Sequence, residues 1–262
     1  MANFARVTWL LFRTHFVRTA RTRRMWLVAF GATLAPLIAL VVAQSPRPVR
    51  GLDVLTALGF LVTINLMAPL AAVIVGSAVL GEEIEDRTIT YLLTRPISRP
   101  AILIGRWLAS ATLLALLFGA SAAALAAVAE SYPDRGARYA IPETLGASLV
   151  VASALAVFTY SAIFSTLGVF FKHPMIVGLA YAFTIEGFLA NLPGKNQALT
   201  VQYYLRCYLL EGHAAAWKNL DEFIPRTPVS ADEAVRWLIG IALVALTVGA
   251  LALRRKQFEL TS

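Results

Sequence analysis

Six long apolar runs divide the sequence, at residues 25–44, 54–80, 102–129, 144–171, 174–192 and 235–253. A helix needs about twenty apolar residues to cross roughly 30 Å of hydrocarbon. In lipid every backbone N–H and C=O must be satisfied within the segment, so runs of this length become helices. The expected fold class is therefore all-α, a polytopic membrane protein with six transmembrane helices. The second, third and fourth runs are long enough to tilt or to project beyond the bilayer. Composition agrees. Of the 262 residues, 58% are hydrophobic and only 15% are charged, which is more apolar surface than a soluble domain hides.

The formal net charge of +8 does not indicate nucleic acid. The arginines sit beside apolar runs, where cytoplasmic anchoring and anionic lipid headgroups place them. Residues 1–24 carry Arg6, Arg13, Arg18, Arg21, Arg23 and Arg24 and no acid, interleaved with Trp9, Leu10, Leu11, Phe12 and Phe16. That pattern fits an N-terminal interfacial amphipathic helix lying among membrane lipid headgroups. A cleaved signal peptide fits less well, because the basic region is too long and the following run is of spanning length.

Placing the N-terminus inside makes 82–101, 172–173 and the basic tail 254–262 the inner segments. The outer ones are then 45–53, 130–143 and 193–234. The two short outer loops carry only Arg47, Arg50, Arg135 and Arg138, and the inner ones hold more Lys and Arg in less sequence. The positive-inside bias thus puts both termini in the cytoplasm and the protein in the cytoplasmic (inner) membrane. The expected division is an interfacial helix at 1–24, a six-span domain at 25–253 and a cytoplasmic tail at 254–262. The lone cysteine, Cys207, allows no internal disulfide.

Local signals refine this. Ser230 and Glu233 form a capping box that opens the last helix. In the third run Ala115, Gly119, Ala123 and Ala127 recur at intervals of four, a small-residue face that another helix backbone can approach. Asn65 with Pro69 predicts a local kink. Glu186 is the candidate acid within a run, and an ionisable residue there is a functional hypothesis by default. Its place in the outer half of the short fifth run favours a structural or gating role at the outer mouth over proton relay. The outer segment is rich in aromatics (Tyr203, Tyr204, Tyr208, Trp217, Phe223) and reads either as interfacial helices or as a contact for a periplasmic partner.

Between the second and third runs lies GEEIEDRTITYLLTRPISRP, residues 81–100. Read as a helix from Glu82 to Leu93, it sets Glu82, Glu83, Glu85, Asp86 and Arg87 opposite Ile84, Ile89, Leu92 and Leu93. The acids would fall in its first turns, Pro96 would end it, and Ser98 would cap the next helix with Pro100 in its first turn. Arg95, Arg99 and Arg106 mark the re-entry, with Arg106 able to snorkel to the interface. Such an element is either a docking helix or a solvated loop with ordinary charges.

Glu85, Thr88, Leu92, Leu93, Pro96, Ser98, Arg99, Gly105 and Arg106 give this stretch a pattern that resembles the first cytoplasmic loop of type-2 permeases of ATP-binding cassette (ABC) transporters. Within them it is close in pattern to the six-span permease associated with nitrous oxide reductase. Arg87 stands where that pattern has Gly, and Arg106 where it has Lys. The resemblance extends to the basic N-terminal helix, the long outer segment and the basic tail. It implies that the loop is a short cytoplasmic coupling helix and that residues 82–98 dock a separate cytoplasmic ABC ATPase. It further implies an exporter subunit paired with a second permease copy, identical or paralogous. ATP and Mg would bind the partner ATPase, and this chain would be non-catalytic, with no cofactor or metal of its own.

Three rival readings draw on the same sequence. Residues 82–87 match the EExxxR signature of CAAX-type intramembrane proteases, but His15, His173 and His213 lack the accompanying FxxxH and HxxxN or HxxxD patterns. Gly194-Lys195-Asn196 superficially resembles a phosphate loop but lacks the upstream Gly and the following Ser or Thr. An ion-coupled secondary transporter using Glu186 is the alternative reading.

Overall fold

The structure, a computed structural model, describes residues 4–45, 49–85, 98–132, 141–191 and 195–255. Its helices are α1 (Phe4–Ala20), α2 (Arg23–Ala43), α3 (Gly51–Ala57), α4 (Ala68–Glu85), α5 (Arg99–Glu130), α6 (Glu143–Phe170), α7 (Pro174–Tyr181), α8 (Val201–Leu210) and α9 (Ala231–Arg255). Two π-helical stretches interrupt them. Leu58–Met67 joins α3 to α4, and Ala182–Phe188 extends α7. Short 3₁₀ segments at Leu189–Asn191, Lys195–Leu199 and Ala214–Phe223 flank α8. The described residues contain no strand.

Among the described residues, five helices are long and apolar enough to cross a membrane: Arg23–Ala43, Gly51–Gly81, Arg99–Glu130, Glu143–Phe170 and Ala231–Arg255. The expected run at 174–192 is instead a shorter apolar helix, Pro174–Phe188. At 1.5 Å per residue it reaches roughly 22 Å, less than the hydrocarbon thickness. Asn65 lies within the first π-helix, and Pro69 stands just beyond it in the first turn of α4.

α6 is the hub, packed against α4, α5 and α9. Ala152, Ala156, Tyr160 and Phe164 recur every four residues along it and are fully buried, so one continuous face is turned inward. The α4–α6 crossing is close because glycine allows it. A Cβ at Gly76 would lie 3.2 Å from Ser161 O, and one at Gly168 would lie 3.1 Å from Ser77 O. Across α5 and α6, Trp107 Nε1 donates to Ser161 Oγ at 3.1 Å. α2 is attached on one side only. Trp26, Leu27, Phe30 and Val41 are exposed, as suits a helix that borders lipid.

Two expectations are corrected, and a third, the small-residue line, is placed more closely. First, no separate helix opens at Glu82: α4 is continuous from Ala68 through Glu85. The change from apolar to acidic sequence marks where a helix would leave hydrocarbon, not where hydrogen bonding stops. Gly81 does not break it. It is there for space, since a Cβ would lie 2.6 Å from Pro174 Cγ. Second, α5 buries Leu114, Phe118, Ala122 and Leu125 within the chain. Ala115 and Gly119 are half-buried, while Ala123 and Ala127 are exposed. The small-residue line therefore borders the intrachain packing face and leaves Ala123 and Ala127 accessible. Third, Arg106 does not snorkel. It is buried and bonded inside the bundle.

The capping box is half realised. Ser230 Oγ accepts from Glu233 N–H at 3.3 Å, but the Glu233 carboxylate accepts from Trp237 Nε1 at 3.5 Å. The Glu211 carboxylate, from just beyond α8, accepts instead from Ala231 N–H and satisfies another of the first-turn donors of α9. The turn between them uses Gly212 at φ 78°, a backbone region that favours glycine.

Candidate functional site

Polar junctions occupy both ends of the bundle. At one end lie α1, the start of α2, the C-terminal part of α4, the start of α5 and the end of α9. α1 lies across α5 because Gly105 has no side chain: a Cβ there would sit 2.8 Å from Thr8 O and 3.0 Å from Leu11 Cβ. The neighbouring Arg106 donates to Val79 O of α4 at 3.1 Å. Arg99 donates to Leu253 O of α9 at 3.2 Å, which suits a cation at a helix C-terminus. Three helices are thereby tied to the first two turns of α5.

This end also holds the expected docking residues that the structure describes. Glu82, Glu83 and Glu85 ride on the continuation of α4. Ser98 occupies the N-cap position of α5 without a side-chain cap bond, and Pro100 lies in the first turn. Asp86, Arg87, Thr88, Ile89, Leu92, Leu93 and Pro96 lie outside the described residues. His15 of α1 hydrogen-bonds Ser110 Oγ of α5 at 3.3 Å. Burial, then the Arg106 and Arg18 guanidinium groups, push its pKa down to about 4, so the imidazole is neutral at pH 7.

At the other end Glu186 sits on the second π-helix, 2% exposed. Its carboxylate accepts from Tyr160 Oη at 2.8 Å, Tyr181 Oη at 3.3 Å, Val201 N–H at 3.0 Å and Gln202 N–H at 3.0 Å. Two of these donors are first-turn amides of α8, which otherwise lack intrahelical partners. Thr200 Oγ1 takes a third, from Tyr203, at 3.2 Å. Glu186 thus caps α8 from another element and fastens it to α6 through Tyr160.

The first π-helix is held from the same place. Ala68 N–H bonds Thr63 O, and the next residue, Pro69, has no N–H to offer. Ile64 O therefore lacks its usual helical donor, and Gln202 Nε2 donates to it at 3.3 Å. One turn further along α8, Arg206 donates to Ala190 O at 3.0 Å. Its guanidinium lies 5.5 Å from the Phe60 ring centre and 5.3 Å from that of Phe223. Glu186, Gln202 and Arg206 together pin α8 to both π-helical segments and the α6 hub.

Glu186 was legible as an acid in an apolar run. Tyr160, Gln202 and Arg206 were not singled out, although a Gln and an Arg among aromatics is the kind of buried polar signal that calls for partners. A carboxylate has about four acceptor positions, and here four donors fill them. The arrangement holds structure and leaves little acceptor capacity for an ion. Among the described residues no group of three His, Cys, Asp or Glu side chains gathers as for a metal.

A family model described as ABC-2 family transporter protein matches residues 11–187, about two thirds of the chain. No curated protein matches it.

Proposed function

The chain belongs to the ABC-2 family of transporter proteins, and from that premise we propose how this multi-pass membrane subunit is powered and where. It is the permease subunit of an exporter. It lies in the cytoplasmic membrane with both termini inside and six passes, the short Pro174–Phe188 helix being the fifth. The family implies an ABC ATPase partner in general. Here that partner docks on residues 82–98, and ATP and Mg bind there rather than on this chain. Two permease copies form the pathway. The loop pattern favours the subgroup resembling the permease associated with nitrous oxide reductase.

The observation that carries this reading is the junction at the α1 end. Residues 82–98 lead directly into α5, where Arg99 and Arg106 bond α9 and α4 and Gly105 seats α1. A push on the loop would reach four helices at once rather than one flexible strand of chain. Glu82, Glu83, Glu85 and Asp86 supply charge for basic residues on the ATPase, and Ile89, Leu92 and Leu93 supply apolar anchors. To Pro96 and Ser98 falls the corner that passes motion to α5, and Arg87, Thr88 and Arg99 complete the docking set. A photo-crosslinking residue at Ile89 should capture an ATPase in native membranes, while one at Leu199 should not. Equal capture from both positions would contradict the reading.

The alternative, ion coupling through Glu186, has less support because its acceptor positions are filled from within the chain. The latch reading instead makes Glu186 a brace for the outer mouth, whose release would free α8.

A further inference from the structure

Beside the α1 end, a recess opens between α1, the start of α2 and α4. Its polar wall is His15, Arg18, Thr19, Thr22 and Arg24, and its apolar wall is Ile74, Val75 and Ala78. Thr22 is the N-cap of α2, so the positive end of that helix dipole faces the same place. Arg18 and Arg24 are exposed at its rim. Cations crowd it: Arg18 and Arg106 both depress the proton affinity of His15, and the described side chains that line it include no acid.

Ile74 also lines a second recess, between α2 and α4. This one is apolar, bounded by Leu27, Gly31, Met67, Leu70 and Ala71. The order along both helices is consistent. On α2, Arg24 precedes Leu27 and Gly31, about 10 Å apart at 1.5 Å per residue. Running the other way, Ala78 and Val75 of α4 are followed by Leu70 of α4 and by Met67 at the end of the first π-helix. A basic, hydroxyl-bearing end thus continues into a greasy slot along one helix pair, beside the outward-facing side of α2. Gly31 keeps the slot open, since a Cβ there would already meet Met67 Sδ at 3.3 Å.

We infer that these two recesses form one binding site for an anionic phospholipid, the phosphate held by Arg18, Arg24 and the Thr19–Thr22 turn and an acyl chain laid between α2 and α4. The polar end alone would accept any phosphate monoester. The adjoining slot is what selects a lipid. The site rests on α1 lying at the headgroup level and is independent of where the ATPase docks. Its occupant would tie α1 and the loosely attached α2 to α4, next to the Arg106–Val79 bond.

The test is native mass spectrometry of the full chain, delipidated in detergent and titrated with phosphatidylglycerol or phosphatidylcholine of matched chains. Wild type should bind one phosphatidylglycerol at least tenfold more tightly than phosphatidylcholine. Arg18→Glu with Arg24→Glu should weaken that binding by at least about tenfold, since each basic residue near an anionic surface counts for about a fivefold change. Gly31→Leu, which alters no charge, should weaken it by filling the slot. Arg13→Glu, on the same helix but away from the recess, should leave it unchanged. Equal binding of the two lipids, or equal loss in Arg13→Glu and the double variant, would overturn the site in favour of a non-specific lipid annulus. Full competition by free glycerol phosphate at the lipid's own affinity would overturn the acyl slot and leave a free-phosphate site.

Discussion

Glu186→Ala removes the acceptor for four donors at once. It should cost roughly 3 kcal/mol or more, because buried donors left unpaired carry their full desolvation penalty. Tyr160→Phe removes one donor and should cost about 2 kcal/mol. Thermal unfolding in detergent measures both. If Glu186→Ala melts with wild type, the latch does not hold α8. His15 gives the pH dependence. Its folded pKa of about 4 lies below its ordinary value of 6.5, so the unfolded chain binds more protons between those values. Stability from this group is therefore fully present above pH 6.5 and is lost as pH falls through that window toward 4. His15→Gln should flatten the pH–stability curve there in lipid-free detergent.

At the scale of elements, the two π-helices and α8 form one unit. Pro69 creates the unpaired Ile64 carbonyl, and Gln202 answers it. Pro69→Ala restores a donor in the helix itself, so Gln202→Leu should cost about 1 kcal/mol less in that background than in wild type. A double-mutant cycle by denaturant unfolding would show this, and strict additivity would refute it. At the α1 end, Gly105→Val forces a side chain into Thr8 O. It should loosen α1 by on the order of 1–3 kcal/mol, seen as faster amide exchange in residues 4–20 and unchanged exchange in α6.

How far the sequence foretold these elements follows from what kind of contact made them. The long helices were legible because lipid forces backbone satisfaction within each segment. Their ends moved by only a few residues. The continuity of α4 through Glu85 was missed because charge pattern reports solvent exposure, and exposure does not end a helix. Glu186 was legible as a polar residue out of place. Its donors were not, since Tyr160 and Gln202 stand 26 residues before it and 16 after, and sequence carries no sign of such pairings. The snorkelling expected of Arg106 failed for the same reason: the Val79 carbonyl is 27 residues away.

At the scale of the whole molecule, the α6 hub joins the α1 end to the braced α8 end. Motion delivered at residues 82–98 would enter through α5 and be resisted at the far end by the Glu186 latch. A weakened latch should therefore raise basal ATP hydrolysis in the assembled complex without abolishing docking, which Tyr160→Phe can test by phosphate release in reconstituted membranes. The central claim is the docking itself. The most direct measurement is co-purification from native membranes of wild type and of a variant with Glu82, Glu83, Glu85 and Asp86 all changed to Lys. The account predicts that an ATPase with nucleotide-binding motifs accompanies wild type and is lost from the variant, while the variant still folds and inserts. Retention of the same ATPase by the variant, or its absence from wild type, would contradict it.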